Sequence, residues 1–274
     1  MPVVNVLALI RERVEALRDF HRRCGTDRAA LDVSGGVDSA VMLGLLAHAL
    51  GPDRIAAVYS SIDSDPGCGA RAAEVAAAFE VPLIDVDLST PFHAMVDDLL
   101  VAMGEAGHDT DEIRARSAAD PTIHGSFRSC LRAPVGRFVN RLFGGGIRHG
   151  TGNECEDRWL RFYQKGGDGE VDTNPIAMLS KGEVFQLARA LGVPRSILTA
   201  RPTPDLWGAG EAHNDEDEIA AYLGLDGVAD QGLAFYSYVD PDTGTYTNVG
   251  LIERVCRFVD LPDSGGADLF GADL

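Results

Sequence analysis

The feature that most limits what this chain can fold into is a junction near its N-terminus. An apolar run, Ala29-Ala30-Leu31-Asp32-Val33, leads directly into Ser34-Gly35-Gly36-Val37-Asp38-Ser39, and from Asp38 to Leu50 the pattern turns helical until Gly51-Pro52 stops it. A strand that passes through two glycines into a helix starts a βα unit, and the next parallel strand is reached by that helix crossing over the sheet. Further strands at residues 55–59, 81–86 and 147–151 alternate with helices at 70–79, 92–103 and 127–142. The expected fold is therefore α/β: a doubly wound parallel sheet of about five strands flanked by helices, with a C-terminal helical extension.

Around this unit the pattern is less regular. Val3, Leu7, Ile10, Val14 and Leu17 recur at spacings of four and three among charged residues, which predicts an amphipathic helix over 3–23. Residues 105–120 are polar and aperiodic and read as a mobile loop. Helices are expected at 181–191, 215–223 and about 249–259, and the Asp- and Gly-rich residues 261–274 as a flexible acidic tail. With 274 residues and no internal repeat, the chain suits a single domain over 1–260 with its core at 28–223.

Composition narrows the partners. Forty-two acidic against 24 basic residues leave a formal charge of −18, a field that repels nucleic-acid backbones and anionic lipid surfaces. No run of eighteen apolar residues exists to cross a membrane. The five cysteines show no CxxC pair or Cys/His quartet, so a reducing, cytoplasmic setting is expected rather than a disulfide framework or a zinc site. His149, beside a glycine-rich loop, is expected to pack half-buried against a strand end rather than to enter a site.

The loop at residues 34–39 has the make-up of a phosphate site. Successive backbone N–H groups at the start of a helix point at an anion, and glycines let the backbone approach it. The spacing is neither that of a Walker A loop nor that of a Rossmann turn. It resembles the pyrophosphate loop of N-type ATP pyrophosphatases, which split ATP to AMP and pyrophosphate on an adenine nucleotide alpha hydrolase-like fold. The resemblance implies that Ser34, Gly35, Gly36 and Ser39 grip phosphate and that Asp38 carries Mg²⁺.

A second string follows: Gly150-Thr151-Gly152-Asn153-Glu154-Cys155-Glu156, then Lys165-Gly166-Gly167-Asp168-Gly169, then Asp172-Thr173-Asn174-Pro175, Lys181, and Arg201-Pro202-Thr203-Pro204. With the loop, it resembles the ammonia-dependent NAD synthetase family over most of residues 28–223. That resemblance implies Glu156 as the second magnesium carboxylate and Thr151, Lys181 and Thr203 as contacts to ATP. It also implies Ser126, Cys130, Arg132, Lys165, Asp168 and Asp172 as contacts to the acid substrate. The implied reaction adenylates a carboxylate with ATP and Mg²⁺ and passes ammonia to it, with Lys181, Asp168 and Thr203 as catalytic residues and Asp168 as acceptor of the ammonium proton. A homodimer using the helix at 127–142 is implied too, and ammonia is expected free or from a separate glutaminase.

The chain also departs from the family. Where members carry Gly-Asn-x-x-Ala-Arg-x-Arg, this one reads Gly125-Ser126-Phe127-Arg128-Ser129-Cys130-Leu131-Arg132, so a forked guanidinium gives way to a thiol. One extra residue separates Glu156 from Asp168, and Gly166 stands where Tyr is usual. Two readings of the substrate follow: nicotinic acid adenine dinucleotide (deamido-NAD), or another carboxylic acid of specialised metabolism. Cys130 and Cys155 keep open a pyrophosphate-loop sulfurtransferase, and a non-catalytic nucleotide sensor on this fold is a further alternative.

Overall fold

The computed structural model describes residues 5–120, 122–160, 163–200 and 203. Its element order is α1 (Val6–Cys24), β1 (Ala29–Asp32), α2 (Val37–Leu50), β2 (Ile55–Ser61), α3 (Pro66–Ala78), β3 (Leu83–Asp87), α4 (Ser89–Glu105), α5 (Thr110–Ala119), α6 (Thr122–Leu142), β4 (Ile147–His149), a π-helical turn (Glu154–Leu160), α7 (Lys181–Leu191) and the single turn α8 (Arg195–Leu198). The strands form one parallel sheet in the order β3-β2-β1-β4. Ala29 lies level with Ile55 on one side and Ile147 on the other.

The chain winds outward from β1 through β2 to β3, then returns to place β4 on the opposite side of β1. The carboxyl ends of β1 and β4 thus flank the point where winding reverses, where open α/β sheets bind ligands. Alternate side chains of the central strands point to one face of the sheet. Ala29, Leu31, Val33, Ile55, Ala57 and Tyr59 join the main core with α1, α2, α3 and α7. A smaller core of Ile62, Leu88 and Phe92 packs against Phe127, Leu131 and Val135 of α6.

Three expectations need correction. Residues 105–120 are not a mobile loop: α4 runs on to Glu105 and α5 occupies Thr110–Ala119. No residue of α5 is buried, so no apolar period marks it. Its helix is held locally, by the Asp109 side chain accepting from the N–H groups of Asp111 and Glu112 and by an Arg116–Glu112 pair at 2.8 Å. The sheet has four strands among the described residues, not about five. The next extended segment contributes only an isolated parallel bridge between Thr173 and His149, and Pro175 follows two residues later with no N–H to continue a ladder. Finally, His149 is fully rather than half buried, at 2% exposure. The helices expected at 215–223 and 249–259 and the tail at 261–274 lie outside the described residues.

Candidate functional site

The two sequence strings meet where β1 and β4 end. The first forms a tight loop into α2. Gly35 has φ of +80°, and a methyl group there would collide with the Cys68 carbonyl of α3, so only glycine fits. Ser39 Oγ donates to Gly36 O at 3.0 Å and accepts from Ser34 N–H at 3.2 Å, and its oxygen lies 3.1 Å from Ser34 Oγ. Gly36 is the N-cap of α2, and no side chain caps the helix there. Unlike a Ser- or Asp-capped helix, α2 therefore presents its first N–H groups to an incoming anion.

Behind the loop sits a buried charged cluster. Lys181 is 3% exposed, and its Nζ donates to Asp38 Oδ2 at 2.5 Å and to Glu156 Oε1 at 2.8 Å. Asp38 comes from the first turn of α2, Glu156 from the π-helical turn and Lys181 from the first turn of α7. A cation at a helix N-terminus opposes the macrodipole. What fixes Lys181 there is the capping box of Ser180 and Glu183, which starts the helix at this residue, and the two carboxylates beyond it. Burial raises the Asp38 carboxyl above its ordinary value, against the lowering effect of Lys181. Replacing a buried trio of this kind with apolar residues is often neutral or stabilising. The trio is therefore weak evidence for stability.

Asn153 organises the trio. Wholly buried, it donates to Asp38 Oδ1 at 3.1 Å, and its own oxygen accepts from the N–H groups of Cys155 and Glu156 at 3.0 and 3.2 Å. The carboxylates of Asp38 and Glu156 thus converge on one ammonium, and no third His, Cys, Asp or Glu completes a metal-binding group among the described residues. Two hard oxygen donors with open positions suit a divalent cation that takes its other ligands from phosphate and water.

Asp157 connects this cluster to a second one. Its carboxyl is pushed up to about 7, chiefly by burial and then by the charges of Glu156, Asp168 and Asp38. Asn174 Nδ2 donates to it at 2.9 Å, and its side chain lies over Gly152, where a methyl group would strike it. Asp168 closes the loop at 164–169: its Oδ1 accepts from Gln164 N–H at 2.7 Å and from Ser129 Oγ at 3.4 Å. Desolvation by the surrounding protein raises Asp168 also, although its residue as a whole is exposed.

This loop docks on one face of α6. Ser126 Oγ donates to Gln164 Oε1 at 2.9 Å, Cys130 Sγ lies 3.8 Å from Lys165 O, and Gly167 presses so closely on Ser129 that a side chain would not fit. Ser126, Cys130, Lys165 and Asp168 are therefore neighbours. Arg132 is not among them. Two residues beyond Cys130, it projects about 200° further around the helix and reaches the end of β2, donating to Ser60 O at 3.0 Å and Ser64 Oγ at 3.4 Å. Asp172 is occupied differently as well, its Oδ2 accepting the Arg148 N–H of β4 at 2.8 Å. Thr151 is half-buried just past β4, and Thr203 is exposed beyond α8. Cys155 is buried, and its sulfur lies 3.5 Å from the Lys181 N–H, a packing position.

Sequence reasoning gave no role to Asn153, Asp157, Asn174 or Arg71, whose Nε donates to Gly35 O at 3.2 Å. Asn153 and Asn174 sit inside the motif string and Asp157 directly after its first part, so all three were open to assignment as polar neighbours of Glu156 and Asp172. Nothing in the sequence marks Arg71, whose contact exists only through the packing of α3 on the loop.

The NAD synthase family model matches residues 9–237. The NH(3)-dependent NAD(+) synthetase of Halobacterium salinarum is 32% identical over 275 residues, covering 97% of this chain and 89% of that protein. The synonymous enzyme of Thermoplasma volcanium is 32% identical over 211 residues, 76% of this chain and 78% of the relative. Among solved structures, an NMN synthetase from Francisella tularensis superposes with a TM-score of 0.68 at 21% identity, covering 92% of each chain. An NAD+ synthetase from Burkholderia pseudomallei gives 0.59 at 21% identity, covering 95% of this chain and 89% of that one.

Proposed function

This chain belongs to the NAD synthase family, and from that premise we propose that it is an ammonia-dependent, AMP-forming ligase that converts the nicotinate carboxylate of deamido-NAD to the amide of NAD. The observation that carries the reading is the convergence of Asp38, Glu156 and Lys181 behind an uncapped phosphate loop.

In the first step a substrate carboxylate oxygen attacks the α-phosphorus of ATP. The bond from that phosphorus to the bridging oxygen of the β-phosphate breaks, and pyrophosphate leaves with the electron pair. The N–H groups at the start of α2 face the departing charge, the hydroxyls of Ser34 and Ser39 turn to it from each other and from Gly36 O, and Lys181 turns from Asp38 and Glu156 to the phosphates. Asp38 and Glu156 are the residues that would hold Mg²⁺, which would supply charge neutralisation on the phosphate oxygens. Thr151 and Thr203 provide further polar contacts to the nucleotide. In the second step ammonia attacks the acyl carbon, the bond to AMP breaks, and the extra proton passes to a base. Asp168 serves as that base, because crowding by protein raises its proton affinity.

Ser126, Cys130, Lys165 and Asp168 form the wall facing the acid substrate. Asp172 holds the neighbouring strand end, and Arg132 acts from the β2 side. Ammonia reaches the site free or from a separate glutaminase. A homodimer forms through α6, whose Phe138 and Leu142 are 64% and 71% exposed. The enzyme works in the cytoplasm, and no described helix is long and apolar enough to cross a membrane.

The test is incubation of the pure protein with ATP, Mg²⁺, ammonium and deamido-NAD: equal amounts of AMP and NAD are expected, and AMP at background removes this substrate. The thiol and hydroxyl of Cys130 and Ser126 on the substrate wall favour one other reading, a sister ligase for a different carboxylic acid. AMP release on adding another acid, with none on adding deamido-NAD, would select it.

A further inference from the structure

The first turns of α3 form a seat for a guanidinium directly behind the phosphate loop. Asp65 caps α3 by accepting from Gly67 N–H at 2.6 Å, and Pro66 opens the helix. Arg71 lies one turn further along the same face as Cys68. Its Nε donates to Gly35 O at 3.2 Å and its Nη2 to Cys68 Sγ at 3.2 Å. Its Nη1 lies 3.1 Å from where a methyl group on Gly67 would stand, so the missing side chain at Gly67 leaves room for the head group. The same turn presses the Cys68 carbonyl against Gly35 and excludes any Cβ there.

The Gly35–Gly36 peptide makes this contact consequential. A trans peptide is planar, with its carbonyl and N–H pointing in opposite directions. Holding Gly35 O on the α3 side therefore turns Gly36 N–H to the other side, where it donates to Ser34 Oγ at 3.2 Å. Ser34 Oγ is in turn 3.1 Å from Ser39 Oγ in α2. A chain of hydrogen bonds runs from the Arg71 cation through the glycine peptide to the hydroxyls of Ser34, at the exposed surface of the loop, and Ser39 beneath it. A positive group at its start polarises each later donor toward negative charge.

Resting on the ATP-cleaving reading above, we propose that Arg71 is the positioning residue of the phosphate loop. It fixes and polarises the Gly35–Gly36 peptide so that the loop binds the pyrophosphate as it leaves. It touches neither the adenine nor the acid substrate in this role. Its effect therefore falls on pyrophosphate affinity and on turnover at saturating substrate, not on the KM for the acid.

The experiment is titration calorimetry of the full-length wild type, Arg71→Met and Arg71→Lys with inorganic pyrophosphate and Mg²⁺. It is paired with steady-state kinetics on deamido-NAD and thermal melting of each protein. Losing a charged hydrogen bond of this kind weakens pyrophosphate binding about tenfold or more in Arg71→Met and lowers kcat comparably. The KM for deamido-NAD stays within about twofold of wild type. Arg71→Lys keeps one donor to Gly35 O and recovers part of both losses; it also serves as the reporter if the methionine variant does not fold. Wild-type pyrophosphate affinity in a folded Arg71→Met, or equal losses in both variants, overturns the proposal while leaving the ligase reading intact. A wild type that binds no pyrophosphate overturns both. Pyrophosphate binding by a wild type that leaves deamido-NAD unchanged sinks the substrate assignment alone, and the calorimetric comparison still decides Arg71.

Discussion

His149 permits a prediction whose size follows from the structure. It is 2% exposed at the end of β4. Its Nε2 lies 2.9 Å from Nε2 of His21, and its Nδ1 lies 2.8 Å from Thr173 Oγ1. His21 Nδ1 is 3.3 Å from Thr26 O, which can only accept, so His21 carries its proton on Nδ1. His21 Nε2 then accepts from His149 Nε2–H, and His149 Nδ1 accepts from the Thr173 hydroxyl. Two neutral rings satisfy every contact, whereas a proton added at His21 Nε2 would set two N–H groups against each other. Burial, and to a lesser extent His21, brings His149 from 6.5 down to about 3, and burial lowers His21 as well.

The unfolded chain binds a proton at His149 near pH 6.5, and the folded chain does not until about pH 3. Stability from the neutral ring is complete above the unfolded value and is lost as the pH falls from there toward the folded one. At 1.36 kcal/mol per pK unit, the loss is about 2 kcal/mol at pH 5 and about 5 kcal/mol by pH 3. Asp32, Asp38, Asp157 and Asp168, all raised, titrate with the opposite sign. The readout is therefore the difference between wild type and His149→Asn. Urea unfolding followed by circular dichroism at about pH 8 and about pH 5 should show wild type losing about 2 kcal/mol more than the variant. Losses that agree to within about 0.5 kcal/mol would refute the neutral buried pair.

Other consequences concern the site. Asp38→Asn and Glu156→Gln should each lower kcat/KM with ATP by about a hundredfold or more, since each removes charge that a divalent cation and Lys181 need; activity within a few-fold of wild type in either would dissolve the trio's role. Gly35→Ala should destabilise by about 1–3 kcal/mol, because φ of +80° and the Cys68 carbonyl both oppose it, and a melting curve matching wild type would contradict the geometry. Asn153→Ala removes three hydrogen bonds at a wholly buried position and should destabilise by about 2–3 kcal/mol, readable by chemical denaturation. Asp168→Asn should suppress the second step most strongly at neutral and higher pH, where the wild-type carboxylate is ionised and can accept the proton, and least at low pH, where the raised carboxyl is protonated in the wild type too; turnover unchanged at every ammonium concentration removes Asp168 as base.

Much of the architecture is legible because periodicity is a local record of burial. Ala29 to Leu31 runs apolar on both faces because β1 lies between β2 and β4 and is covered on both sides. The members of the trio stand out through residue type and order, and the fold brings them into contact. Helix α5 escapes because it buries nothing, though Asp109 followed by Asp111 and Glu112 is a capping signal that periodicity does not weigh. Arg132 shows a different limit. Its place beside Cys130 in sequence suggests a shared wall, but two helical residues face nearly opposite ways, and the guanidinium serves the end of β2. Asp172 reads as a substrate contact in a motif, whereas the fold also uses it to bind a backbone N–H of β4. Arg71 depends wholly on tertiary packing. The charge of −18 fits a phosphate-handling protein once phosphate is held by backbone N–H groups and a few placed cations.

The central claim is that this site joins the substrate carboxylate to the α-phosphorus before ammonia arrives. It is tested most directly by running the reaction with deamido-NAD labelled with ¹⁸O in its carboxylate. The account predicts one labelled oxygen in the phosphate of each AMP formed, in step with NAD. Unlabelled AMP, or ADP in its place, would contradict it.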